Sequence, residues 1–231
     1  MGRGLFISGT DTGVGKTLVS VWLTAALANA GRRVAAMKPC ETGEGDDAAR
    51  LVAATGRALD RALTNPYRFP LPAAPEIAAR RAGARIELGR IDTAYRTLAA
   101  DAELTIVEGA GGLLVPLAGA LTIADLVARL DLPLLIVART RLGTINHTLL
   151  TAEVARRRGL RLLGVIFSRT ERAMGEEESE TISTIVRHGE LRSFGVLPFL
   201  ATAVREDTVA LAKSFSSHIE VDRLIAMVQK Y

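Results

Sequence analysis

The 231-residue chain is poor in four things, and each shortage excludes something. It has one cysteine, Cys40, so no internal disulfide can form and a reducing, cytoplasmic setting is expected. No apolar run reaches the roughly 18 uncharged residues that a membrane-crossing helix needs, and no basic-then-apolar leader opens the chain, so neither membrane insertion nor secretion is expected. Aromatics are only 4% and nowhere interleave with a basic cluster. The net charge of +4 comes from residues scattered among acids, as at Arg80-Arg81 and Arg156-Arg157-Arg158, so no nucleic-acid partner is expected. The fourth shortage is lysine. Of 29 basic residues, 25 are arginine and only Lys16, Lys38, Lys213 and Lys230 are lysine. Lysine is a compact point charge whose pKa burial can lower, whereas arginine is a planar fork that stays charged. A chain this biased toward arginine still places lysines at glycine- or proline-flanked positions 16 and 38, which marks both.

What is present is a core. At 48% hydrophobic and 23% charged residues, the chain is too apolar and too weakly charged to be disordered. Short apolar runs at Leu5–Ser8, Val34–Met37, Leu104–Val107, Leu134–Ala138, Leu162–Phe167 and Phe194–Leu197 read as buried strands. Between them, Thr17–Ala30 and residues 88–100, 121–130, 146–158, 179–188 and 219–229 read as helices. Asp131-Leu132-Pro133 and Arg158-Gly159-Leu160 stop helices just before the next strand. Alternating β and α segments with apolar strands predict an α/β fold, a mostly parallel sheet with helices on both faces. No Ser/Gly-rich linker and no repeat divides residues 1–231, so a single domain is expected. In such sheets ligands bind at the carboxyl ends of the strands. Five strand ends here carry glycine-rich or polar segments: 9–17, 38–47, 108–116, 139–146 and 168–169.

The first of these is Gly9-Thr10-Asp11-Thr12-Gly13-Val14-Gly15-Lys16-Thr17, between a strand and a strong helix. Glycines let several N–H groups converge on one anion, and the helix N-terminus adds partial positive charge. Lys16 is placed for β/γ-phosphates and the Thr17 hydroxyl for Mg²⁺. Five residues, not the usual four, separate Gly9 from Gly15-Lys16, so this is a variant phosphate loop. Thr17 cannot hold Mg²⁺ alone, because that ion wants octahedral oxygens with one or two carboxylates. Asp47, after the second strand, and Glu108, read as following the third at Glu108-Gly109-Ala110-Gly111-Gly112, are the candidates, with Asp46 as a rival to Asp47. Lys38 ends the second strand at Met37-Lys38-Pro39 and is expected to neutralise charge on transferred oxygens. No histidine lies near Cys40 in sequence to activate it.

Taken together, these residues resemble the dethiobiotin synthetase family. The resemblance rests on the loop from Gly9 to Thr17, Lys38-Pro39, Asn65-Pro66-Tyr67 with Pro72 and Pro75, Val107 to Gly112, Leu142-Gly143-Thr144-Ile145-Asn146-His147, and Pro198-Phe199-Leu200. It runs in order from residue 8 to about 200. It implies a doubly wound P-loop NTPase fold of three α/β/α layers and a homodimer with active sites at the subunit interface. It implies an ATP- and Mg²⁺-dependent ligase that joins CO₂ to 7,8-diaminononanoate through a carbamate and a carbamic-phosphoric anhydride. Lys16 and Lys38 would be catalytic. Gly13, Val14, Gly15, Lys16, Thr17, Leu18, Asp47, Glu108, Gly109, Ala110, Gly111, Ser168, Arg169, Pro198, Phe199 and Leu200 would bind nucleotide. Thr17, Asp47 and Glu108 would bind metal. Asp11, Thr12 and Thr42 would face the diamine or its carbamate, and Thr144, Ile145 and Asn146, opening a helix after a glycine, the substrate carboxylate of the partner subunit. Asn146 also reads as a plain helix cap.

Two departures matter. Where many family members have Asn-Asp after the fifth strand, the asparagine reading adenine, this chain has Ser168-Arg169, which implies a looser nucleotide preference. Thr181 stands where some relatives place a tyrosine on the substrate tail. The partitioning and positioning ATPases of the same superfamily carry a lysine early in the loop that crosses their dimer; Asp11 occupies that place here, which argues against such a switch.

Overall fold

The computed structural model describes residues 4–171, 177–199 and 215–230. Its centre is a six-stranded, fully parallel sheet. The strands are β1 (Gly4–Gly9), β2 (Val34–Met37), β5 (Leu104–Gly112), β8 (Leu134–Arg139), β9 (Leu162–Ser168) and β10 (Ser193–Leu197), in the order β10-β9-β8-β1-β5-β2. These are the six runs expected from the sequence. Two short pairs lie outside it: parallel β3 (Cys40–Thr42) with β4 (Tyr67–Phe69), and antiparallel β6 (Pro116–Ala118) with β7 (Leu121–Thr122).

Strand side chains alternate between faces, and the two faces pack different helices. Ile7, Ala36, Ile106 and Val137 join one cluster with Val19 and Trp22 of α1 (Lys16–Asn29), Leu51 of α2 (Asp47–Ala54) and Leu224 of α9 (Val221–Val228). Phe6, Met37, Val107 and Leu134 face the other way, onto Ile91 of α5 (Leu88–Ala100) and Leu126 of α6 (Ile123–Leu130). The remaining helices are α3 (Arg61–Thr64), α4 (Pro75–Arg81), α7 (Thr144–Arg157) and α8 (Glu178–Gly189). The architecture is thus three layers, α/β/α. Trp22 is buried in the α1 layer, edge-on to Phe215 with ring centroids 6.2 Å apart.

Alternation and register together build the site. Met37 pairs with Val107, so the next residues, Lys38 and Glu108, come level at the carboxyl edge. Lys38 has the parity of Ala36 and Glu108 that of Ile106, so both point to the face of α1 and α2. Thr17 lies in the first turn of α1 and Asp47 begins α2 on that same face.

One sequence expectation is corrected here. Glu108 does not follow the strand; β5 runs on to Gly112, with Glu108 paired to Ile7 and Gly112 to Gly9. Past Val107 only β1 pairs with this strand, and the pairing is irregular: the register shifts between Glu108 and Gly112, and Gly111 is left-handed at φ 66°, a conformation glycine takes without strain.

Candidate active site

The phosphate loop follows β1, and two of its glycines, Gly13 (φ 74°) and Gly15 (φ 95°), adopt the left-handed conformation that L side chains avoid. Gly15 has a second constraint: a Cβ there would come within 2.5 Å of Ser168 Oγ. Val14 is buried and anchors the turn. Lys16, the first residue of α1, folds its ammonium back onto the loop, donating to the Asp11 carbonyl at 2.8 Å. Burial pushes its pKa down to about 8. The nearby Glu108 opposes that shift and the Lys38 charge adds to it.

Opposite the loop, Glu108 is fully buried. Its Oε1 accepts from Thr17 Oγ1 at 2.8 Å and from Lys38 Nζ at 2.5 Å. Lys38 Nζ also donates to Asp47 Oδ2 at 2.9 Å. Burial works against the charge on Lys38, but Glu108 and Asp47 outweigh it and hold the ammonium above the usual lysine range. Burial likewise opposes ionisation of Asp47, yet Lys38 and the Thr17 hydroxyl keep that carboxyl below its ordinary value. A buried pair of this kind costs about 3–5 kcal/mol when one partner is removed, whereas an exposed pair such as Arg157–Glu153 is worth about 1 kcal/mol or less. The central ion cluster is therefore fixed, and the surface arginines carry little of the fold.

These groups line one cavity of about 690 Å³, together with Thr12, Gly13, Gly15, Leu18, Thr42, Ala110 and Gly111. Gly109 is buried within β5 beneath it. Asp47, not Asp46, is the acid brought to the cluster; Asp46 is exposed one residue before α2.

The donor set fits Mg²⁺. Glu108 Oε2 is buried without a hydrogen-bond partner, beside a hydroxyl and a second carboxylate, all hard oxygens. Among the described residues no group of three or more His, Cys, Asp or Glu is placed to hold a metal, so further ligands would come from phosphate and water, as Mg²⁺ usually takes them.

A family model described as "AAA domain" matches residues 3–207. The ATP-dependent dethiobiotin synthetase BioD of Nitrosospira multiformis is 39% identical over 228 residues, covering 97% of each chain. Its counterpart in Anaeromyxobacter dehalogenans (strain 2CP-C) is 49% identical over 172 residues, 73% of this chain and 77% of the relative. The chain belongs to the AAA-domain family and to the ATP-dependent dethiobiotin synthetases. It is an ATP-dependent cyclo-ligase of biotin biosynthesis. Among solved structures, the MinD cell division protein of Aquifex aeolicus overlays with a TM-score of 0.59 at 14% identity, covering 97% of each chain. A ParA family ATPase of Chlorobium tepidum overlays at 0.57 and 16%, covering 94% of this chain and 91% of that one. These likenesses show the P-loop NTPase fold alone.

The remaining family positions of the synthetase separate into three groups. Asp11 and Thr12 are exposed at the loop tip, where Asp11 Oδ1 accepts the Thr12 N–H at 2.7 Å. In α7, the N-cap is Gly143, not Asn146, and it is left-handed at φ 90°. Asn146 and Ile145 are exposed in the first turn, while Thr144 is buried, its hydroxyl donating to the Arg139 carbonyl at 2.6 Å. At the far strand ends, Ser168 is buried and its Oγ has no partner. Arg169 is gripped by Glu178 of α8, Nη2 to Oε2 at 2.7 Å. Pro198 and Phe199 are half-buried just past β10, and Leu200 lies outside the described residues. Ser168, Arg169, Pro198 and Phe199 do not line the cavity beside the phosphate loop. Thr181 is half-buried on α8.

Three residues near the site have roles that their sequence context does not reveal. Asn65 is buried, and its Nδ2 donates to the carbonyls of Lys38 (2.8 Å) and Tyr67 (3.1 Å), so the Asn-Pro-Tyr motif holds the backbone that presents Lys38. Glu41 and Arg68 pair behind the Asp47 loop. The signal for Asn65 is its place in a motif; Glu41 and Arg68 give none.

Proposed function

We propose that the phosphate loop, Lys38, Asp47 and Glu108 together carry the Mg²⁺- and ATP-driven joining of CO₂ to 7,8-diaminononanoate. One observation carries the reading: Lys38 Nζ lies 2.5 Å from Glu108 Oε1 and 2.9 Å from Asp47 Oδ2, in the cavity that Lys16 and Thr17 also line. Two cations and two carboxylates converge where a terminal phosphate, a metal and a second anion would have to meet.

The reaction balances simply. One amine adds to CO₂, loses a proton and becomes a carbamate. A carbamate oxygen attacks the γ-phosphorus, ADP leaves, and a carbamic-phosphoric anhydride forms. The second amine attacks the carbonyl carbon, phosphate departs with its electron pair, and the ureido ring closes. Phosphoryl transfer of this kind asks the protein for position and charge rather than covalent help. Lys16, freed from the Asp11 carbonyl, would take the β/γ-phosphates. Lys38 stays protonated, so it serves as a fixed cation for carbamate and transferring oxygens, not as a base. Thr17, Asp47 and Glu108 would hold Mg²⁺, which would supply positive charge to offset that on the transferring phosphate.

A homodimer fits the surface beside this cavity. Leu114 (54% exposed) and Leu150 (56% exposed) flank a second cleft of about 370 Å³, whose other wall carries Asp11 and Thr12. Clustered exposed leucines beside a polar site favour contact with another subunit over open solvent. The N-terminal turn of α7 has no side-chain cap and offers N–H groups at Ile145 and Asn146 for a carboxylate, while the Thr144 N–H is taken by the Arg141 carbonyl at 3.2 Å.

The test is phosphate release from ATP and Mg²⁺ with bicarbonate present, with and without 7,8-diaminononanoate. Release is expected only with the diamine; release indifferent to it would sink the mechanism.

A further inference from the structure

The proposed metal ligand Asp47 sits at the start of an eight-residue helix, α2, too short to hold its own position. Its N-cap residue, Asp46, makes no side-chain cap bond. A helix start left that way has free N–H groups and a loosely placed first turn. Something outside the helix must fix it.

Glu41, in β3, does so. It is only 2% exposed and both its oxygens are engaged. Oε1 accepts the N–H of Ala48, the residue after Asp47, at 3.3 Å; Oε2 accepts from Arg68 Nη1 at 3.0 Å. Arg68 Nη2 in turn donates to the Gly45 carbonyl at 2.8 Å. The loop between β3 and α2 is thus held at Gly45 by Arg68 and at Ala48 by Glu41, with Asp47 between. The loop passes close over the carboxylate: a Cβ on Gly45 would lie 3.7 Å from Glu41 Oε1. At its other end Gly43 N–H donates to the Phe69 carbonyl at 2.9 Å, continuing the β3–β4 ladder, so β4 supplies the frame on which Arg68 stands. Glu41 lines the cavity wall, but with both oxygens engaged it has little left to offer a substrate amine.

We propose that Glu41 and Arg68 are positioning residues: Glu41 caps α2 in place of Asp46, Arg68 ties the loop to that cap, and together they set where the Asp47 carboxylate meets the metal. This rests on the reading of Thr17, Asp47 and Glu108 as the metal site. Groups that orient a ligand from behind typically change metal affinity by about 10- to 100-fold when removed.

The test is Mn²⁺ affinity of the full chain, followed by electron paramagnetic resonance with a non-hydrolysable ATP analogue bound. Glu41→Ala and Arg68→Ala are each expected to weaken Mn²⁺ binding about ten-fold or more. Glu41→Gln keeps an acceptor for Ala48 and is expected to lose less. The decisive comparison is Arg68→Ala placed on Asp47→Asn, where about two-fold or less is expected, because the residue it positions is gone. Arg68 is 38% exposed, so its replacement leaves a testable fold even where Glu41→Ala does not. Wild-type Mn²⁺ affinity in Arg68→Ala, or an equal loss with and without Asp47, overturns the proposal. A wild-type chain that binds no Mn²⁺ with nucleotide would instead overturn the metal-site reading beneath it.

Discussion

The carboxyl edge of the sheet has two ends of opposite character. At β1, β2 and β5 the central charges are tightly paired, with Lys38 and Glu108 buried: Lys38 with Glu108 and Asp47, Glu108 also with the Thr17 hydroxyl, and Lys16 with its own loop. At β9 and β10, Ser168 presents a buried hydroxyl with no partner, and Arg169 is turned aside to Glu178. One end is a preorganised charge site; at the other, neither Ser168 nor Arg169 is organised to read a base. The contrast teaches where the chain has invested buried, paired charge: beside the phosphate loop, and not at Ser168 and Arg169.

The largest expected effect tests the charged end. Lys38→Arg keeps a cation but replaces a point charge with a planar fork in a space already filled by two carboxylates. kcat is expected to fall about 10²–10³-fold, with the circular dichroism spectrum unchanged. Turnover near wild type would reduce Lys38 to a spectator and erase the contrast.

A middle-sized effect separates the two lysines. The pKa of Lys16 is lowered to about 8 in the ligand-free chain, while that of Lys38 is raised. A bound triphosphate needs Lys16 charged. Below pH 8 the proton is already present, so affinity is flat; above it, binding must take up a proton, and affinity falls by up to ten-fold per pH unit. Calorimetric titration with an ATP analogue from pH 7 to 9.5 checks this. Lys16→Arg, always charged, is expected to flatten the profile whatever its absolute affinity. A flat wild-type profile would mean Lys16 is not the titrating contact.

The smallest effect probes the other end. Sites that hydrogen-bond a group reject analogues lacking it by about 10⁴–10⁵-fold, but only where buried polar groups are built to pair with it. With Ser168 and Arg169 as placed, kcat/KM for ATP and GTP is expected to agree within about ten-fold, and Arg169→Ala to leave the ratio unchanged. Discrimination above a thousand-fold would show a base-reading group that β9 and β10 do not supply.

Much of the fold and the charged site is legible in the sequence. All six central strands stand out as apolar runs, because a parallel strand is buried on both faces. The phosphate loop, Lys38, Asp47 and Glu108 stand out because glycine-rich and charged residues at strand ends are hard to explain by packing. Glu108 is legible as a residue but not as part of β5, since only pairing with β1 carries its glycine-rich continuation on as strand. Asp46 and Asp47 are indistinguishable side by side; the helix start turns one inward and leaves the other exposed.

By itself, then, the chain order of apolar and glycine-rich segments determined the α/β architecture and the place of the lysines along it, because burial periodicity and backbone permissiveness are local. Two of the four lysines that stand out against 25 arginines share one cavity. Only the tertiary structure decided what each charge faces. Lys38 and Glu108 are 70 residues apart and meet through strand register, and Glu41 and Arg68 are 27 apart and meet through the β3–β4 pair. Such partners are set by three-dimensional closure, which no local spacing encodes.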